Sequence, residues 1–422
     1  MKIKALRGMQ DLLPEKQVIF RHIESCVGEV LKAYGYRQIG LPLLESTDLF
    51  ARLVGGSTEV VQKQMYTFED KSGDNVTLRP EGTAGCVRAA LEHGLTFNQV
   101  QRLWYAGPMF RYERPQKGRY RQFEQIGCEC FGMPGPDIDA ELLLMLHRIW
   151  AALGVTADIN LELNTLGDTV ARKRYSNALV DYFTPQSEQL DDDGRRLLTS
   201  NPLRILDSKH EGTKALLAEA PLLTSFVDEE AALHFEGLRR NLEQMQVPYT
   251  VNPRIVRGLD YYNRTVFEWT TDTLGSQGTV CGGGRYDGLV EELGGRSVPA
   301  VGFAMGLDRL ALMLEDKFEP PAEADVFVVS ETGARSQALV LAEQIRSWRA
   351  GLRVVTHCGE GKFKSQFKKA DASGAQIAVV IGESEMRSGT VTVKPLRGQA
   401  DQQTVDESNM TDLLALWLDK TA

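Results

Sequence analysis

The residues best suited to chemistry lie at 109–129, MFRYERPQKGRYRQFEQIGCE. Over residues 109–125, Arg111, Arg114, Lys117, Arg119 and Arg121 stand against Glu113 and Glu124. This is an excess of three positive charges in a chain whose net charge is −9. Apolar and aromatic residues alternate on either side of a polar loop holding Pro115 and Gly118, which predicts a β-hairpin with a long tip. Pairing Arg111 with Phe123 sets Met109 against Gln125, Gly107 against Gly127 and Tyr105 against Glu129. Side chains two apart share a face, so one face carries Arg111, Phe123, Gln125, Glu129 and Tyr105 around a bare glycine pair. A glycine pair leaves room for a ligand on the backbone. A cation, a ring, an amide and a carboxylate around such a gap suit a zwitterion with a phosphate neighbour. A solvated charged face is the ordinary reading of a charge run, but glutamate and glutamine at alternating positions beside two glycines argue against plain surface.

Other segments offer complementary groups. LRPEGTAG, residues 78–85, reads as a strand-to-helix turn that gathers Glu81 and Thr83 at a helix start. They could hold an ammonium group, or Thr83 could simply cap the helix. VRGLDYYNRTVFEW, residues 256–269, sets Arg257, Tyr261 and Tyr262 before a strand. CGGGRYDG, residues 281–288, is a glycine-rich turn with Arg285 and Tyr286. It is neither a Walker A sequence nor GxGxxG, so it predicts no P-loop or dinucleotide site. GFAMGLDRLALML, residues 302–314, runs into a helix with Leu307, Leu310, Ala311 and Leu314 on one face and Arg309 beside that stripe.

These segments need a scaffold, and the chain supplies one. Its 422 residues are 42% hydrophobic and 25% charged, enough for two or three globular domains. The first 315 residues read as α+β with an antiparallel sheet and helices at 15–34 and 139–153. Residues 168–246 are charged, poor in strand signal and read as a helical insertion. The catalytic core would then comprise residues 1–167 and 247–315. The proline-bearing DKFEPPAEA, 316–324, reads as a linker. Beyond it, 325–422 alternate short apolar strands with helices, which predicts a small α/β domain with a largely parallel sheet. Within it, Phe363 and Phe367 of KFKSQFKK read as core anchors, leaving the lysines to meet phosphate. The six cysteines are scattered, with no CxxC pair and no clustering with the six histidines. Reduced thiols are therefore expected and zinc is not. No apolar run reaches membrane-spanning length and the N-terminus lacks a signal-peptide core, so a cytoplasmic protein is expected.

Taken together, the motifs resemble the class II aminoacyl-tRNA synthetases, in their histidyl branch, over essentially the whole chain. FRYERPQKGRYRQF resembles the family's second motif and VGFAMGLDRL its third. Pro42 in LPLLE matches the proline of the first motif, which lies at the family's dimer interface. RGLDYYNRTVFE and GGGRYDGLV resemble the two signatures of the histidyl branch. Neither the HIGH nor the KMSKS signature of class I enzymes is present.

The resemblance implies attack of the histidine carboxylate on the α-phosphate of ATP, then transfer of histidine to the 3′ end of tRNA(His). It implies that Arg111 and Arg257 flank the α-phosphate as catalytic cations, and that Glu113 and Arg119 handle the ATP tail and base. Phe123 and Arg309 would sandwich the adenine. Glu81, Thr83 and Gln125 would hold the ammonium group of L-histidine. Glu129 and Tyr262 would read the imidazole, which offers one donor and one acceptor. Tyr105, Tyr261 and Tyr286 would complete the walls, with Arg111 and Arg257 also facing the amino acid. Arg114, Gln116 and Lys117 at the tip would meet the tRNA acceptor end, and 325–422 would bind the anticodon. Mg²⁺ would arrive on the ATP phosphates, and the family is homodimeric. The rival reading is the synthetase-like regulatory subunit of ATP phosphoribosyltransferase. That family lacks the C-terminal domain and loses catalytic motif residues, whereas Arg111, Arg257 and Arg309 are intact here.

Overall fold

A computed structural model describes residues 3–55, 58, 60–208, 210–256, 259, 261–275, 278–397 and 400–419. The chain divides into two units, Met1–Phe318 and Glu319–Ala422.

The larger unit is built on an eight-stranded sheet. Its order is Arg37–Gln38, Gln101–Phe110, Gln122–Phe131, Ala300–Gly306, Thr279–Arg285, Asn263–Thr270, Asn160–Thr165 and Thr250–Val251. The six central strands pair antiparallel, as expected. The two-residue strands at either edge pair parallel, which alternation over so short a run does not reveal.

Period-two alternation sorts the two faces into two cores. Trp104, Ile126, Cys128 and Cys130 turn to one face, where they pack with the helices Pro14–Ala33 and Pro136–Ala152. Phe20, Ile23, Val27 and Leu31 recur at helical spacing to make the buried stripe of the first helix. Each of these helices opens on a proline, whose fixed φ and missing N–H suit the first turn. Cys128 and Cys130 are buried thiols, and burial pushes Cys130 up to about 12.

Leu103, Tyr105, Met109 and Phe131 turn to the other face. There they meet the helix Thr83–Glu92 and the apolar stripe of Thr169–Phe183, which is Tyr175, Leu179 and Phe183. Residues 169–244 hold four α-helices among the described residues. Three of them are started by aspartate caps, Asp168, Asp191 and Asp228, each accepting from a backbone N–H.

The smaller unit carries a five-stranded sheet in the order Val354–Thr356, Val326–Ser330, Ile377–Ile381, Thr390–Pro395 and Gln403–Asp406. The first three strands are parallel and the last two are added as antiparallel hairpins. Sequence reading missed Gln403–Asp406, a short polar edge strand. Phe363 and Phe367 pack against Phe327, Val329 and Ala370, as anchors should. Among the described residues no helix is long and apolar enough to cross a membrane.

Candidate active site

The hairpin forms from Gln101–Phe110 and Gln122–Phe131, with the register two residues from the expected one. Met109 pairs with Phe123, Gly107 with Gln125, Tyr105 with Gly127 and Leu103 with Glu129. An even shift keeps every side chain on its face. The expected register assumed a symmetric tip. In the structure the two arms part after Arg111, whose N–H bonds to Arg121 O. The Tyr112 N–H turns away to Gln64 O and the Arg121 N–H to Gly8 O. A separate turn at Gln116 to Arg119 closes the tip.

The shift overturns the glycine gap. A side chain at Gly127 would lie 2.1 Å from the Tyr105 ring, and one at Gly82 would meet the same ring at the same distance. The space therefore houses Tyr105 rather than a ligand. Gly107 has φ 147°, and the room above it is filled by Arg79, whose guanidinium donates to Leu41 O and Pro108 O at 2.9 Å each.

Beside this face lies a cavity of about 360 Å³. Of the residues singled out above, Glu81, Thr83, Arg111, Glu113, Arg119, Phe123, Gln125, Tyr261, Tyr262 and Arg309 line it together. At one end three arginines converge. Arg111 donates to Pro80 O at 2.8 Å and sits 5.4 Å from the centre of the Phe123 ring. Arg119 pairs with Glu113. Arg309 donates to Gly118 O and Thr279 O. Burial, with the Arg119 and Arg111 charges beside it, pulls Arg309 below the usual guanidinium range. Like charges gathered against their own repulsion make a site for a polyanion.

The other end is built for a cation and a polar ring. Glu81 accepts from the N–H groups of Thr83 and Ala84 at 2.7 and 2.8 Å, so Glu81 caps the helix Thr83–Glu92. Thr83 does not; its hydroxyl crosses to Glu129 Oε1 at 2.7 Å. Tyr105 donates to the same oxygen at 3.0 Å and Tyr286 to Oε2. Glu129 is wholly buried and stands behind the cavity wall with Tyr105 and Tyr286, rather than lining it as expected. Gly302 makes this possible, since a side chain there would strike the Glu129 carboxylate at 1.9 Å. Burial raises Glu129 to about 8, against the pull of the three hydroxyls. Once ionised, a carboxylate offers about four acceptor positions, so three donors leave one. Tyr261 packs at a tilt against Tyr262, 4.6 Å between ring centres, and edge-on against Tyr286, 5.7 Å. Gln125 Oε1 is buried without a hydrogen-bond partner among the described residues.

Arg114, Gln116 and Lys117 are exposed at the tip, outside the cavity. Arg257 lies outside the described residues. Sequence reading missed Tyr120, Leu259, Thr279 and Gly306 as lining residues. For Gly306 a signal was present, because Gly302 and Gly306 of GFAMG fall on one face of the strand beside the return arm. Asp308 also lines the cavity and accepts from the Glu124 N–H at 2.9 Å and from Gln10, joining the helix Leu307–Leu314 to the hairpin. Among the described residues no group of three or more potential metal ligands gathers. The carboxylates of Glu81, Glu113 and Asp308 accept from Thr83 and Ala84, from Arg119, and from Glu124 and Gln10 respectively.

Comparison with known proteins gives this geometry a relationship. The family profile described as Histidyl-tRNA synthetase matches residues 8–310, and that described as Anticodon binding domain matches residues 324–415. The chain is 37% identical to the apo histidyl-tRNA synthetase of S. aureus, over 98% of this chain and 99% of that one, with a TM-score of 0.81. It shares its fold with the histidyl-tRNA synthetase of Nostoc sp. PCC 7120, at 20% identity over 99% of this chain and 100% of that one, TM-score 0.70. The same holds for an ATP phosphoribosyltransferase regulatory subunit/histidyl-tRNA synthetase of Bacillus halodurans, at 22% identity over 90% and 98%, TM-score 0.65. With a family profile spanning most of the chain and a 37% identical structure matched nearly end to end, the chain belongs to the histidyl-tRNA synthetase family.

Proposed function

We propose that this chain is a histidine–tRNA ligase, activating L-histidine with ATP and passing it to the 3′ end of tRNA(His). The observation that carries the reading is the pairing of two ends in one cavity. Three arginines gather at one end, and a buried carboxylate held by three hydroxyls stands behind the other.

Attack of a carboxylate on the α-phosphate builds negative charge at phosphorus. Cations already in place stabilise it without reorganisation. Arg111 and Arg257 take that role, with Arg119 and Glu113 holding the ATP tail and base. Phe123 and Arg309 take the adenine between ring and guanidinium. Mg²⁺ enters with the phosphates it neutralises. Glu81, Thr83 and Gln125 receive the ammonium group, and the orphaned Gln125 oxygen gains its donor. Binding of histidine opens the wall in front of Glu129 and favours its ionised form, whose fourth acceptor position takes the imidazole N–H, and the Tyr262 hydroxyl donates to the other ring nitrogen. Tyr105, Tyr261 and Tyr286 close the pocket. A site whose polar groups are left unpaired by an isostere rejects it strongly.

Residues 1–167 and 247–315 act as the catalytic core, 168–246 as an insertion and 316–324 as a linker. The unit from 325 onward binds the anticodon, and the exposed Arg114, Gln116 and Lys117 meet the acceptor end. The protein works as a cytoplasmic homodimer. The regulatory-subunit reading is disfavoured by the anticodon-domain match at 324–415 and by the intact arginines. ATP–pyrophosphate exchange with each amino acid in turn tests the proposal. Exchange is expected with histidine alone, and exchange driven by another amino acid, or by none, refutes it.

A further inference from the structure

One buried network takes no part in the mechanism above. Arg285 is fully buried, and its guanidinium is held on three sides. Nε donates to Asp139 Oδ1 and Oδ2 at 2.9 and 3.2 Å. Nη1 donates to Asp287 Oδ1 at 2.9 Å. Nη2 donates to Met133 O and Gly135 O at 2.9 and 2.8 Å. Asp139 is also fully buried, near the start of the helix Pro136–Ala152. Its Oδ2 lies 2.8 Å from His234 Nε2, on the helix Glu229–Gln244, so that ring nitrogen carries the hydrogen.

The chain positions joined here are informative. Arg285 and Asp287 flank Tyr286, and the Asp287 carboxylate accepts from the Ala300 N–H while the Tyr286 N–H donates to Ala300 O. The backbone on both sides of Tyr286 is thus pinned, and its hydroxyl is delivered to Glu129. A buried ion cluster is a poor way merely to add stability, since an apolar replacement of equal volume does as well. Its advantage is geometric: a forked, planar donor fixes several partners in one arrangement.

The geometry points to Arg285 as a positioning residue for amino-acid recognition, and to Asp139 and His234 as the link by which the helix Glu229–Gln244 holds Tyr286 against Glu129. The inference rests on the reading that Glu129 receives the histidine side chain. It makes the last helix of the helical stretch a determinant of amino-acid affinity, with no atom of its own in the cavity.

The test is histidine-dependent ATP–pyrophosphate exchange by the full chain, with KM for histidine and for ATP measured separately. His234→Phe removes the donor to Asp139 and should raise KM for histidine about tenfold, leaving KM for ATP unchanged. His234→Gln keeps a donor at the same reach and should restore it. Repeated in a Tyr286→Phe background, His234→Phe should have no further effect, because the hydroxyl it positions is gone. Should His234→Phe fail to fold, Asp139→Asn carries the same comparison. An unchanged KM for histidine, an equal rise in both KM values, or effects that multiply in the Tyr286→Phe background overturns the inference. Absence of histidine-dependent exchange in the unsubstituted protein instead removes the reading beneath it.

Discussion

Thr83 Oγ1 lies 2.7 Å from Glu129 Oε1, so the first residue of the helix Thr83–Glu92 gives its hydroxyl to a strand rather than to its own helix. Glu81 supplies the cap instead. The two tasks are therefore separable. Thr83→Val should raise KM for histidine about tenfold, the worth of one buried hydrogen bond. Its melting temperature should stay within a few degrees of the parent's, and a large drop would return Thr83 to a capping role.

Glu129 gives stability a pH dependence of known sign. Burial raises its carboxyl to about 8, whereas in an unfolded chain a glutamate titrates near about 4.3. Between these values the native state binds the extra proton. Its contribution is fully present at low pH, falls as pH rises through about 8 and is level beyond. The slope is at most about 1.4 kcal/mol per pH unit. Urea unfolding of the parent and Glu129→Gln from pH 5 to 9 should show the difference, with the variant lacking that slope. Parallel curves would mean that the carboxyl is ionised throughout.

Two glycines on the same face should respond oppositely. A methyl at Gly127 meets the Tyr105 ring, so Gly127→Ala should cost about 1–3 kcal/mol and abolish histidine activation by displacing a donor to Glu129. A methyl at Gly306 meets open space at the cavity wall. Gly306→Ala should fold normally and raise KM for ATP. Thermal melts beside exchange kinetics separate the two, and equal destabilisation would contradict the packing described.

Arg119 and Arg111 stand close enough to Arg309 for their charges to act on it. Pyrophosphate should raise the melting temperature of the apo protein by linkage, and Arg119→Gln, which removes the cation assigned to the ATP tail, should lose most of that rise. An undiminished rise would place the anion elsewhere.

Each unit has apolar clusters of its own. A chain ending at Phe318 should therefore melt cooperatively and retain histidine-dependent exchange while losing most tRNA charging. Unchanged charging would deny the smaller unit its role.

Much of this was legible in the sequence where local pattern dictates structure. Ile23, Val27, Val30, Leu31 and Tyr34 declare their helix, and the alternation of residues 102–132 declares the hairpin and its faces. The register was not legible, because Tyr112 and Arg121 bond to Gln64 and Gly8 rather than to each other. Nor was the burial of Glu129, which depends on Gly302 from a strand far along the chain. The role of Asp139 was equally hidden, since an aspartate in a first helical turn looks like an ordinary cap-region charge until Arg285 is seen against it. Local propensity places side chains on faces; distant partners decide what those faces enclose.

The parting of the hairpin arms bears on the order in which the site assembles. Below Arg111 the ladder is a local antiparallel pairing that closes as soon as two neighbouring strands meet. Above it, the backbone of the tip is fastened to Gly8 and to Gln64, segments that arrive only once distant parts of the chain have docked. Arg111 and Arg119, which the proposed function gives to the nucleotide, thus straddle a seam between early and late structure. Native-state hydrogen exchange would register it as a step in amide protection, high through Ile126 and Cys128 and low at Tyr112 and Arg121, and ATP binding would level that step.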